Sequence, residues 1–196
     1  MTEGLLERWL EGVLSTPGLT GLRDAAEARR VLVDDALRAR SLIERTPGPI
    51  VDVGSGGGSP GIPLAVAFPD RSFALLEAER RKCDFLSEIA RELPNVGVVW
   101  GRAEEQPTDR FGIGLAKALA KPPTAAELCL PLVAEGGAVI LWVGKSAEPG
   151  PVALVAKRLA AQVEDSCDGF FILRKIGPTP AGFPRRPGMA KKRPLA

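Results

Sequence analysis

One stretch constrains this chain more than any other: IVDVGSGGGSPGIPL, from Ile50 to Leu64. A short apolar run carries Asp52 near its end. A turn crowded with Gly54, Gly56, Gly57 and Gly58 follows, and then an apolar segment able to open a helix. Strand, glycine turn and helix N-terminus in that order build a nucleotide or nucleoside site, because backbone N–H groups at the turn face the ligand. Glycine permits positive φ and lets a ligand approach bare backbone.

The rest of the chain alternates to match. Leu5, Leu6, Trp9, Leu10, Val13 and Leu14 recur at helical spacing, and Pro17-Gly18 closes that helix. Asp24 is a helix cap, and the pattern predicts one helix from there to about Arg45. Strands are expected at 50–53, 72–76, 96–100, 111–116, 137–143 and 170–175. Helices are expected from about Pro60 and at 79–93, 122–133 and 151–161. Such alternation gives an α/β fold, a doubly wound and mostly parallel sheet covered on both faces. Three parts are expected: an N-terminal helical region (1–46), a cofactor-binding domain (47–176) and a basic, Pro-rich arm (177–196). The arm reads as an extended tail that orders against a partner.

Composition removes whole classes of chemistry. The chain has no histidine and no tyrosine, so imidazole triads, histidine zinc sites and most general-base schemes are excluded. Cys83, Cys129 and Cys167 are odd in number, widely spaced and form no CxxC, which predicts free or buried thiols and no metal. No run approaches a membrane span, and the opening MTEGLLERWLEGVL sets glutamates among its leucines, unlike a secretory leader. A cytoplasmic protein is expected, acting as a monomer. From Arg174 onward there are seven basic residues and no acid, so the net charge of +2 hides a body at −5. A basic end on an acidic body suits either a polyanion contact or a solvated tail.

Two cofactors compete for the glycine turn. Gly56 to Gly61 formally fits the dinucleotide pattern GxGxxG, but the turn begins at Gly54, directly after the strand. In that register Asp52-x-Gly54-Ser55-Gly56 resembles the S-adenosylmethionine (SAM) site of class I methyltransferases. There the acid orders the loop or meets the cofactor's ammonium group. Glu77 closes the next strand, where a carboxylate can accept both ribose hydroxyls. The segment LVAEGGAVILWVG, 132–144, resembles the fifth strand of those enzymes, and Gly101-Arg102-Ala103-Glu104 stands where they hold adenine.

Taken together, IVDVGSGGGSPGIPL, LLEAERRKCDFL, GRAEE and PRRPGMAKKRPL resemble the bacterial glucose-inhibited division protein B family. GLTGLRDAAEARRVLVDDAL resembles that family's helix ahead of the domain. Its members are SAM-dependent methyltransferases that modify N7 of a guanine in 16S ribosomal RNA. The resemblance implies cofactor contacts at Gly54, Ser59, Ala103 and Glu104, and a basic residue at Lys117 by the substrate mouth. It also implies RNA near Arg185, Arg186, Lys191, Lys192 and Arg193, with 16S RNA or the small ribosomal subunit as partner. Guanine N7 holds a free lone pair and no proton, so direct displacement needs no general base, as a histidine-free chain requires.

The chain departs from the family at three places. Gly112 stands where an Asp is usual and Lys117 where an Arg is usual, and 33–37 lacks the family's histidine. Lys is a point charge and keeps a phosphate contact, but not a bidentate one. Alternative readings are a relative retargeted to another RNA or a small metabolite, or an inactive RNA-binding relative. Arg80, Arg81 and Lys82 read as an exposed helix turn, Trp100 and Trp142 as core or cofactor-pocket walls, and Phe170 and Phe171 as sheet packing.

Overall fold

The computed structural model describes residues 2–166 and 169–196; Cys167 lies outside them. Among the described residues, seven strands form one sheet in the order β3-β2-β1-β4-β5-β7-β6. They are β1 (Ile50–Val53), β2 (Phe73–Glu77), β3 (Val96–Trp100), β4 (Phe111–Lys117), β5 (Val133–Trp142), β6 (Ala161–Asp165) and β7 (Phe170–Lys175). The first five run parallel, while β7 is antiparallel to both β5 and β6.

Strand β1 is buried along its whole length, as befits the centre of a parallel sheet, and carries one acid, Asp52, among its apolar residues. Farther out, period-two alternation sorts the side chains by face. Val139, Leu141, Phe171 and Leu173 pack with α7 (Pro122–Cys129) and α8 (Pro149–Arg158). Ile140, Phe170 and Ile172 share the opposite face with Ile43 and Leu64. A third cluster joins α1 (Thr2–Ser15), through the fully buried Trp9, to Ile62 of α5 (Gly61–Ala67) and Leu86 of α6 (Arg80–Ala90).

The strand order reverses between β1 and β4. A crevice opens at such a switch point outside the carboxyl ends of the strands. The glycine turn after β1 and Lys117 at the end of β4 both sit there.

Four elements differ from the sequence expectation. The helix expected over 24–45 starts as read, with Asp24 Oδ1 accepting the Glu27 N–H at 2.8 Å. It then breaks into α2 (Ala25–Ala28), a π-helical turn (Arg29–Asp34), α3 (Asp35–Leu37) and α4 (Arg40–Arg45). Two carbonyls of the π turn accept bonds from distant side chains: Val31 from Lys117 and Leu32 from Ser59. No local periodicity encodes such partners.

The helix expected over 122–133 stops at Cys129. Pro131 cannot donate, and a 3-10 turn leads directly into β5. Strand β6 lies where only a helix end was expected. It is an exposed edge strand whose partner, β7, follows it in the chain. Finally, the basic arm packs against its own domain, ending in α9 (Met189–Lys192) with Ala190 buried.

Gly112 also has a structural reason. A Cβ there would run into the Pro47 carbonyl oxygen and the Gly48 Cα. Gly112 opens β4, at the end of the strand opposite Lys117. The departure from the family's Asp is thus a close backbone crossing remote from the crevice.

Candidate functional site

The glycine turn is shaped from both sides. Gly54 and Ser55 donate their N–H groups to Leu76 O at 2.7 and 3.2 Å, tying the end of β1 to the end of β2. Gly54, Gly56 and Gly58 all have positive φ. Around Gly56 a Cβ would meet almost nothing, so bare backbone faces open space. Helix α1 reaches over the turn, and Trp9 Nε1–H donates to Gly57 O at 2.8 Å. Ser59 Oγ–H donates to Leu32 O at 2.7 Å.

Asp52 lies beneath this loop, 1% exposed. Its Oδ2 accepts the Gly61 N–H at 3.0 Å, the first residue of α5. Burial pushes the Asp52 carboxyl up to about 7, against the lowering effect of the Gly61 and Ser55 hydrogen bonds. Of the two expected roles, ordering the loop and meeting a ligand, the hydrogen bond to Gly61 matches the first; Asp52 is not among the residues that line the crevice.

Glu77 does line it. It is 8% exposed and holds two backbone donors, Gly56 N–H on Oε2 at 2.9 Å and Glu79 N–H on Oε1 at 2.8 Å. A carboxylate has about four acceptor positions, so this one keeps capacity for hydroxyl groups of a ligand.

The crevice encloses about 560 Å³, the size of a small-molecule site. Gly54, Ser55, Gly56 and Ser59 form its floor, Glu77 and Ala78 one wall, and the turn Gly101 to Glu104 another. Lys117 stands at the end of β4, with Nζ 2.9 Å from Asp35 Oδ2 and bonded to Val31 O. Burial acts to raise the Asp35 carboxyl, but the hydrogen bonds from Lys117 and Arg38 outweigh it and hold it below the usual range. Lys117 therefore fastens the N-terminal helices to the sheet while facing the cavity. Of the expected cofactor residues, Gly54, Ser55, Gly56, Ser59, Glu77, Ala103, Glu104 and Lys117 converge on one space.

Sequence reasoning missed the roof, formed by Trp9, Val13, Leu19, Leu22, Val31 and Leu32. The amphipathic pattern of α1 showed a buried face but not what it covers. Lys82, read as plain helix surface, also reaches the cavity.

The arm meets the site at two acids. Arg185 forms a fork-to-fork pair with the buried Glu127, at 2.6 and 2.7 Å, and also donates to Arg193 O. Glu104 Oε1 accepts the Gly188 N–H at 2.8 Å. Lys191 lines the cavity mouth, and Arg186, Lys192 and Arg193 are exposed. Arg185 was expected to contact RNA. Its guanidinium is held by Glu127 instead, where it anchors the arm. Trp100 also departs from expectation: it is 60% exposed and outside the cavity lining. Trp142 is half-buried, edge-on to Phe170 at 5.1 Å.

The family model for rRNA small subunit methyltransferase G matches residues 6–167. The chain belongs to this family. A Ribosomal RNA small subunit methyltransferase G of Synechococcus elongatus is 34% identical over 90% of this chain and 82% of its own length. One from Moorella thermoacetica is 33% identical over 90% and 82%. Solved structures of similar fold share far less sequence. The geranyl diphosphate C-methyltransferase of Streptomyces coelicolor A3(2) is 13% identical with a TM-score of 0.58, over 86% of this chain and 82% of that one. A T. thermophilus 16S rRNA N2 G1207 methyltransferase, solved with AdoMet and guanosine, is 15% identical with a TM-score of 0.53, over 76% and 40%. The fold is that of SAM-dependent methyltransferases, and the crevice lies at its strand-order reversal.

Proposed function

We propose that this chain transfers a methyl group from SAM to N7 of a guanine in 16S ribosomal RNA, as a cytoplasmic monomer that needs no metal. One observation carries the reading. Residues of the family's motifs, scattered from Gly54 to Lys117, line a single cavity of suitable size at the fold's ligand-binding edge.

The donor set fits the cofactor. Glu77 is placed to accept ribose hydroxyls, the Ala103-Glu104 turn to hold the base, and the bare backbone of the glycine turn to meet the amino-acid end. When bound, SAM supplies a methyl group on a positively charged sulfur, open to attack by a lone pair. The protein's share is to exclude water and hold the nucleophile in line, which can lower a barrier by several kcal/mol. The titratable side chains on the cavity wall are Glu77, Lys82, Arg102, Glu104, Lys117 and Lys191. An unprotonated N7 requires no general base among them.

The arm carries the case for RNA. With Arg185 and Gly188 fixed to the domain, Lys191 lines the cavity, and Arg186, Lys192 and Arg193 are exposed on the same short arm. Such a basic cluster suits phosphates, whose contacts orient a substrate without reading sequence.

The test is to incubate the protein with methyl-labelled SAM and small-subunit particles lacking guanine-N7 methylation, then digest the RNA. Labelled 7-methylguanosine is the expected product. Label in another nucleoside would point to a retargeted relative, and no label in any RNA would reject the reading.

A further inference from the structure

Trp100 ends β3 beside the crevice and stays 60% exposed, against 0% for Trp9. Its open face is large and flat, of the kind on which a nucleobase stacks. The ring is also held in place. Its Nε1–H donates to Ala78 O at 3.1 Å, and the Arg80 guanidinium sits 4.8 Å from the ring centroid. Ala78, Gly101 and Arg102, the residues around it, are themselves cavity wall, whereas the ring is not. Trp100 is therefore a rigid, solvent-facing aromatic on the rim of the site. It is joined through the Arg102 to Glu104 turn to Gly188 of the basic arm.

Charge selects the occupant. Arg80 stacks on the ring, Arg102 lies two residues beyond it in the chain, and both are exposed, while Arg81 donates to the Pro17 carbonyl. Arg80 pairs with Asp84 and Arg102 lies 3.7 Å from Glu104, so the neighbourhood holds paired cations and is not a bare basic patch. That combination of flat aromatic, stacked guanidinium and moderate charge suits a nucleobase more than a phosphate run. Single-stranded RNA is bound by stacking splayed bases on such rings.

We infer that Trp100 and Arg80 form a stacking platform for an unpaired base of the RNA substrate, adjacent to the base that enters the cavity. The inference rests on the RNA reading above. The arm holds phosphates on one side of the Glu104 turn, and the ring takes a base on the other.

The experiment uses the full chain, Trp100→Ala and Trp100→Phe, with a fluorescein-labelled single-stranded RNA 12-mer in anisotropy titrations at several salt concentrations. SAM affinity is measured separately by calorimetry. Stacking predicts that Trp100→Ala binds the RNA about tenfold more weakly, while Trp100→Phe keeps most of the affinity. The slope of log affinity against log salt should not change, since no phosphate contact is lost. SAM affinity should hold. Equal RNA affinity in all three proteins overturns the proposal, as does a loss of SAM affinity that matches the loss of RNA affinity, which would make the ring part of the cofactor site. A flatter salt slope in Trp100→Ala overturns it too, since the ring would then be supporting phosphate contacts. If wild-type protein methylates no particle yet Trp100→Ala still weakens the 12-mer, the activity reading fails and the platform stands.

Discussion

Two segments close over the same crevice, and they do so by different physics. The N-terminal cover is a piece of core. Trp9 and Val13 are buried, and Trp9 shares a cluster with Ile62, Leu75 and Leu86. The C-terminal cover is a strap. It is fastened by the Arg185–Glu127 pair, the Gly188–Glu104 bond and Thr179 on Asp109, with Ala190 buried and Phe183 and Leu195 partly buried against the core. Burial is insensitive to salt and hard to undo locally, whereas polar fastenings are local and reversible. The cofactor crevice is thus roofed by a buried apolar helix, while the basic residues are mounted on a segment held mainly by polar contacts.

The sharpest way to break the contrast is Trp9→Ala. Removing a fully buried Trp costs about 3–5 kcal/mol. The Gly57 carbonyl also loses its donor. Denaturant unfolding should show that loss, and calorimetry should show weakened SAM binding. A stable variant that binds SAM normally would mean the roof is dispensable.

Asp52 lies under the loop that both covers reach, and pH tests it. Its carboxyl is raised from an ordinary 3.8 to about 7 by burial, with Glu77 adding to the rise and Lys117 opposing it. The folded state therefore binds the proton more tightly than the unfolded one. That stability is fully present below the unfolded pKa and is lost as pH rises through about 7. One group can contribute a slope of at most about 1.4 kcal/mol per pH unit. Asp52→Asn should remove this component, so the unfolding midpoint of wild type should fall relative to that of the variant as pH rises from 4 to 7. Parallel curves would show that Asp52 does not titrate in that window.

The strap gives way at Arg185→Ala. Glu127 would then be left buried without its partner, which costs up to about 3–5 kcal/mol for a fully buried pair. Arg185 keeps a fifth of its side chain exposed, so the expected loss is nearer 1–2 kcal/mol. SAM affinity should fall little. RNA affinity should fall, and its salt slope should flatten as Arg186, Lys191, Lys192 and Arg193 lose their fixed position. A variant with unchanged salt slope would place the RNA contact elsewhere.

The same contrast explains what the sequence displayed. The sheet was legible because β1, β2 and the second half of β5 are short apolar-rich runs bounded by polar or turn residues, and local pattern suffices for them. The cavity floor was legible because glycine spacing and a strand-end acid are local signals as well. The covers were not. The π turn at 29–34 is fixed by Lys117 and Ser59, which come from β4 and the glycine turn. Arg185 reads as one more base in a basic tail, and nothing near it announces Glu127, 58 residues earlier. Asp52 reads from the sequence as an acid at the start of the loop, but its bond to Gly61 depends on which way α5 leaves the turn.

Ser59→Ala probes the smallest of these fastenings and the one that separates the two covers most cleanly. Its hydroxyl donates to Leu32 O at 2.7 Å across half-buried surroundings. A single neutral bond of this kind contributes about 0.5–1.5 kcal/mol net. The Leu32 carbonyl lies within a π-helical turn, and residues on both sides of the bond line the cavity. Losing it should loosen the roof against the floor while leaving the strap untouched. SAM affinity should weaken by a few-fold, in proportion to a cost of that size, while the salt slope of RNA binding stays at the wild-type value. If SAM affinity holds and the salt slope changes, the roof and the strap are not independent, and the N-terminal helices also take part in placing the RNA.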